Sequence, residues 1–129
     1  WLRTRGLSCP EALVVPDGSA VTDALRTAIA QDVVVVVTTG GTGLAPRDLT
    51  PEATAQVVER LVPGVAEAIR AAGVAHGVPT AVLSRGLVGV AGRTLIVNLP
   101  GSTGGVRDGL TVLDSLLDHM LDQVQGGDH

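Results

Sequence analysis

Four short stretches of the chain carry residue types suited to holding an anion. The longest, Thr38-Thr39-Gly40-Gly41-Thr42-Gly43, sets three glycines among three threonines. Its backbone can take positive φ and present N–H groups to a ligand with no Cβ in the way. Arg47 and Asp48 follow and add charge, and arginine suits two-pronged contacts with phosphate. Asp17 stands in Pro16-Asp17-Gly18, Ser84 and Arg85 close a short apolar run, and Asn98-Leu99-Pro100-Gly101-Ser102 opens a second glycine loop that ends at Gly105. Each has an ordinary structural competitor. Asp17 could cap the helix after it, Asp48 could favour the dipole of the next helix, and the glycines could form only a tight turn. Asn98, Ser102, Ser84 and Arg85 could simply satisfy loop backbone.

Those stretches need elements to position them. Five consecutive valines, Val33 to Val37, are β-branched and apolar on both faces, as expected of a central strand covered above and below by helices. Thr50 and Pro51 read as a helix N-cap and first turn just beyond the glycine loop, which places free N–H groups near it. In chain order, Trp1 to Arg5 reads as a helix end closed by Gly6, Glu11 to Val15 as a short strand, and Ser19 to Ala30 as a helix. Pro51 to Leu61 reads as a helix interrupted by Pro63 and resumed over Gly64 to Ala72. Thr80 to Leu83, Leu87 to Val90 and Thr94 to Asn98 read as strands, and Val106 to Val124 as one long helix with a leucine stripe. Residues 126–129 read as a frayed tail beyond a single domain over 1–125.

Such alternation predicts a three-layer α/β/α sandwich with a mostly parallel central sheet. In sheets of that kind ligands bind beyond the carboxyl ends of the strands. The reversals at 16–18, 40–48 and 98–105 are then expected to converge into one crevice.

Composition narrows the function. The net charge of −4 gives no basic face for nucleic acid, and with neither Phe nor Tyr and a single Trp there is no platform for stacking bases. All nine basic residues are arginine, so neither a Walker-type phosphate loop nor Schiff-base chemistry is available. No apolar run approaches the ~20 residues of a membrane-spanning helix. The lone Cys9 can form no internal disulfide, which points to a reducing cytoplasm. His76, His119 and His129 are scattered, supporting neither a metal site nor a Ser-His pair. The glycine loops do not match the G-x-G-x-x-G dinucleotide fingerprint.

The blocks Thr38 to Gly43, Arg47-Asp48-Leu49-Thr50-Pro51-Glu52-Ala53-Thr54 and Asn98-Leu99-Pro100-Gly101 resemble the MogA/MoaB family of molybdenum-cofactor biosynthesis proteins. Pro16-Asp17 and Pro79-Thr80-Ala81-Val82-Leu83-Ser84-Arg85 match as well, so the similarity covers nearly the whole chain. The TTGGTG and NLPG blocks also occur in related gephyrin-type domains and molybdenum-insertion enzymes. Family domains begin with a further strand ending in Ser-Asp, so the resemblance implies that a first strand and part of the first helix are absent from this sequence.

The resemblance implies an enzyme that binds molybdopterin and joins it to AMP from Mg-ATP, releasing pyrophosphate. It implies that the Gly40 to Gly43 loop, with Thr39 and Thr42, cradles an anion and that Asp48 and Asp17 hold Mg²⁺. Ser84, Asn98, Pro100, Gly101 and Ser102 would line the pocket, and Arg47, Arg85 or Arg107 would offset substrate charge. A homotrimer and a molybdenum-insertion enzyme as partner are further expectations of the family. Leu44-Ala45-Pro46 and Ser102-Thr103-Gly104-Gly105 fall at variable positions, which leaves open a MoaB-like module that binds without transferring AMP. A gephyrin-like scaffold is the third reading.

Overall fold

The computed structural model describes residues 1–127. Its element order is α1 (Ser19–Ala30), β1 (Val35–Thr39), α2 (Thr50–Ala55), β2 (Arg60–Leu61), α3 (Pro63–Ala75), β3 (Val88–Ala91), β4 (Thr94–Leu99), α4 (Thr103–Asp114) and α5 (Leu117–Val124). Single 3₁₀ turns lie at Arg3–Arg5 and Pro79–Leu83. The sheet runs β1-β4-β3-β2.

β4 is the organising strand. Thr94-Leu95-Ile96-Val97-Asn98-Leu99 is buried along its whole length, and its side chains alternate between two cores as strand geometry requires. Leu95, Val97 and Leu99 join Val65, Ile69, Leu113 and Leu117 from α3, α4 and α5 on one face. Ile96 joins Val21, Leu25 and Ala53 from α1 and α2 on the other. The expected three layers are present, and each fully buried leucine or isoleucine contributes about 2 kcal/mol.

Several details differ from the reading of the sequence. Only β1 and β4 are parallel, in register from Val35 opposite Leu95 to Thr39 opposite Leu99. β3 with β4 and β2 with β3 are antiparallel, so the sheet is mixed rather than mostly parallel. The cause is local: only Gly92 and Arg93 separate β3 from β4, a hairpin connection too short for a crossover. The valine run supplies β1, which lies at the edge among the described residues and not at the centre. Glu11 to Val15 forms no strand; Leu13 and Val14 remain 75% and 92% exposed.

The expected helix from Pro51 stops at Ala55, and the chain then enters the sheet, where Glu59 N–H and Val62 N–H donate to the carbonyls of Val90 and Val88. Pro63 therefore opens α3, where its missing N–H costs nothing, instead of interrupting a helix. Thr80 to Leu83 is a 3₁₀ turn packed on α3: a Cβ on Gly73 would lie 2.5 Å from that of Ala81. The long final helix is two, broken at Ser115 and Leu116 with neither glycine nor proline to mark it. At that break Arg5 bridges Asp114 and Asp118 at 3.0 Å each, and Trp1 Nε1 donates to Asp114. The expected close of the first turn does occur, with Gly6 at φ 83°. Of the expected tail, residues 128–129 lie outside the described residues. Among the described residues no helix is long and apolar enough to cross a membrane.

Candidate functional site

Because β1 and β4 are parallel, they end at one edge of the sheet. Gly40 N–H donates to Leu99 O at 3.0 Å, extending their ladder by one step before both chains turn away. Gly40 and Gly41 turn with φ 88° and 68°, conformations that favour glycine. A Cβ on Gly101 would lie 3.2 Å from the Cα of Gly40, so the two glycine loops meet backbone to backbone. The third reversal reaches the same place. Asp17 Oδ2 accepts the Leu49 N–H at 3.2 Å, and a Cβ on Gly41 would lie 2.6 Å from that oxygen. The three distant segments form one crevice.

The two carboxylates flank the first loop. Asp48 Oδ2 accepts the Ala45 N–H at 3.1 Å while its own N–H donates to Ala45 O at 2.9 Å, and a Cβ on Gly43 would lie 2.8 Å from Oδ2. Neither aspartate caps the helix that follows it. The N-cap of α1 is Gly18 and that of α2 is Leu49, both without a side-chain cap, so α2 begins at Thr50 with Pro51 in second place. Asp17 and Asp48 each bind backbone through Oδ2. Among the described residues no group of three or more His, Cys, Asp or Glu could cage a metal. Mg²⁺ is commonly held by one or two carboxylates completed by ligand oxygens, and the donor chemistry of Asp17 and Asp48 is of that kind.

Ser84 and Arg85 border the loop. Ser84 Oγ donates to Thr42 Oγ1 at 3.3 Å, and Arg85 N–H donates to Thr42 O at 2.8 Å. The Arg85 guanidinium reaches Gly43 O at 2.9 Å, Asp48 O at 2.7 Å and the Glu52 carboxylate at 2.6 Å. Its hydrogen bond, with a smaller contribution from its charge, holds the Glu52 carboxyl below the usual range against a modest desolvation effect; Glu52 in turn raises Arg85. Arg85 is thus committed to the protein and is not a free counter-charge for substrate. Arg47 is exposed and Thr39 stands at the exposed end of β1, both open to a ligand. Arg107 is likewise exposed on α4.

Asn98, expected to line the pocket, is instead buried. It is 3% exposed, with Oδ1 accepting the Leu87 N–H at 3.0 Å and Nδ2 donating to Thr38 Oγ1 at 2.9 Å and Thr54 Oγ1 at 3.1 Å. It faces α2 beneath the crevice and ties four segments together instead of pointing at a ligand. Ser102 caps α4 by accepting the Gly105 N–H at 3.0 Å, and Pro100 packs against Gly105. Glu52, Thr38 and Thr54 escaped the reading of the sequence. Only the place of Glu52 in the first turn of α2 signals it, since nothing local reveals that Thr38 and Thr54 share Asn98.

Two shallow hollows lie one on each face of the sheet. One, of about 320 Å³, is lined by Trp1, Leu2, Val37, Leu99 and Val106. The other, of about 350 Å³, is lined by Ser19, Asp23, Arg26, Leu49 and Gln56.

Known proteins resemble this chain in sequence and fold. The family model described as a probable molybdopterin binding domain matches residues 1–119. A molybdenum cofactor biosynthesis bifunctional protein of Synechococcus elongatus is 41% identical over 130 residues, covering 100% of this chain and 40% of its own length. A molybdopterin adenylyltransferase of Helicobacter pylori is 42% identical over 92 residues, covering 71% of this chain and 52% of its own. The chain thus spans about half the length, or less, of these curated relatives. The solved structure of the molybdopterin biosynthesis Mog protein from Mycobacterium ulcerans superposes with TM-score 0.93 at 56% identity, over 96% of this chain and 81% of that one. With its glycine crevice, its flanking aspartates and these similarities together, the chain belongs to the molybdopterin-binding family that includes MogA and MoaB.

Proposed function

We propose that the chain acts as a molybdopterin adenylyltransferase, transferring AMP from ATP to molybdopterin with release of pyrophosphate. The observation that carries this reading is the meeting of Asp17, Asp48 and both glycine loops at the common end of β1 and β4. Adenylylation asks for alignment and charge neutralisation more than for a covalent nucleophile. A terminal phosphate oxygen of molybdopterin attacks the α-phosphorus of ATP, and the bond from that phosphorus to the bridging oxygen breaks, so the electron pair leaves with pyrophosphate.

The residues divide the work. The backbone of Gly41 to Gly43, past the Gly40 N–H that is spent on Leu99 O, and the N-terminal turn of α4, beginning at Ser102, offer N–H groups to phosphate oxygens. Arg47, exposed beside the loop, neutralises charge. Asp17 and Asp48 would hold Mg²⁺, and the ion would supply charge neutralisation to the phosphates. Ser84 keeps Thr42 oriented at the loop. Asn98 acts from below by fixing β1, β4 and α2 relative to one another. A homotrimer in the cytoplasm, handing its product to a molybdenum-insertion enzyme, completes the proposal on the strength of the family resemblance.

Purified protein supplied with Mg-ATP and molybdopterin is expected to release one pyrophosphate per pterin consumed. Pterin binding without pyrophosphate release would instead assign the MoaB-like binding role.

A further inference from the structure

Among the described residues the Asp48 carboxylate accepts its hydrogen bond from its own loop, at Ala45 N–H, and it also lies in the field of the Arg85 guanidinium. Its position therefore depends on whatever holds the loop in shape. Arg85 does so from four directions. Its main-chain N–H takes Thr42 O, Nε takes Gly43 O, Nη2 takes Asp48 O, and Nη1 with Nη2 grips both oxygens of Glu52 at 2.6 and 3.2 Å. One planar guanidinium thus fixes the entrance of the loop, its exit and the first turn of α2 at set separations. A lysine ammonium carries its donors on a single nitrogen and could not span these acceptors.

We propose that Arg85 is a positioning residue for the metal-dependent step, setting the Asp48 carboxylate by clamping the Gly43 and Asp48 carbonyls to Glu52. The proposal rests on the adenylyltransferase reading for its catalytic consequence, but the clamp itself can be tested without it. The Arg85 guanidinium is spent on Gly43, Asp48 and Glu52. It acts through the loop, and its exposed ion pair with Glu52 is the outer half of the same device. The partially exposed guanidinium adds little to global stability by its charge alone, since solvent screens exposed ion pairs.

The test compares wild type with Arg85→Gln, Arg85→Lys and Glu52→Gln. Three quantities are measured: amide hydrogen exchange of the protein alone, the Kd for molybdopterin, and the Mg²⁺ concentration giving half-maximal pyrophosphate release. For Arg85→Gln we expect Ala45 and Asp48 amides to exchange about tenfold or more faster while Val97 and Leu99 keep their protection. The half-saturating Mg²⁺ should rise by about tenfold, with the molybdopterin Kd within about twofold of wild type. Arg85→Lys should likewise keep the fold but not the wild-type Mg²⁺ response, and Glu52→Gln should fall between it and wild type. Unchanged exchange at Ala45 and Asp48 in both Arg85 variants would overturn the clamp. So would an unchanged Mg²⁺ response, or a parallel loss of pterin affinity, Mg²⁺ response and core protection, which marks general unfolding. If wild type releases no pyrophosphate, the adenylyltransferase reading fails by itself, and the exchange measurement still decides for or against the clamp.

Discussion

Gly41 and Asp17 occupy the same space: a side chain on one excludes the carboxylate of the other. A Cβ built on Gly41 would lie 2.6 Å from Asp17 Oδ2 and would collide with Thr50 Oγ1, and Gly41 holds φ at 68°. The glycine is required twice over, for its backbone conformation and for the room it leaves to a carboxylate arriving from 24 residues earlier in the chain.

Gly41→Ala is therefore expected to cost about 1–3 kcal/mol from the strained backbone, and to push Asp17 away from Leu49. Urea unfolding reads the first effect. The second should appear as lost AMP transfer in protein that is still folded, and a fully active Gly41→Ala enzyme would remove Asp17 from the site.

Asp48→Asn keeps the shape and the acceptor oxygen toward Ala45 but removes the charge. AMP transfer should fall about 100-fold or more, equivalent to about 3 kcal/mol of lost transition-state stabilisation. Molybdopterin binding, followed by pterin fluorescence, should change little. Full turnover in this variant would exclude Asp48 from metal binding.

The buried Asn98 predicts the opposite pattern. Asn98→Ala strands the Leu87 N–H and removes the donors shared by Thr38 and Thr54. Stability should drop by about 2–3 kcal/mol, seen as a lower midpoint in urea, with turnover of the folded fraction close to wild type. A selective loss of pterin affinity at unchanged stability would instead put Asn98 in the pocket.

The Glu52–Arg85 pair makes part of the stability dependent on pH. Arg85 lowers the folded-state pKa of Glu52 below its ordinary 4.5. The contribution is therefore complete above that ordinary value and is lost as pH falls through the lower, folded one. Glu52→Gln should lack this small contribution at neutral pH, where it is complete, and converge with wild type in acid, so that this part of the acid limb is flattened. Acid titrations of both proteins, followed by circular dichroism, compare the two limbs directly.

The local features were legible because their causes are local. Ser19–Ala30 was delimited by Pro16-Asp17-Gly18 ahead of it and by its own helical spacing, and the structure has the same boundaries. Thr94 to Leu99 alternates between two apolar cores, and Gly6 ends a turn in the left-handed region, as glycine allows. Pro51 to Leu61 misled because helical spacing continues past Ala55, whereas the ladder with β3 captures Glu59 to Val62. The run Thr80 to Leu83 has strand composition, yet it packs as a turn against α3.

By itself the sequence determined where the chain must bend, which residues near each bend could take a charge or a phosphate, and the family to which those blocks belong. These follow from steric limits and residue chemistry over a few neighbouring positions. Tertiary structure decided that β4 and not the valine run is the central strand, that Asp17 serves Leu49 across the chain, that Asn98 is a buried tie and that Arg85 is spent on the loop. Each of those outcomes is a choice among partners 30 to 60 residues apart, or among alternative sheet neighbours, and the energies that make the choice exist only once the segments are packed together.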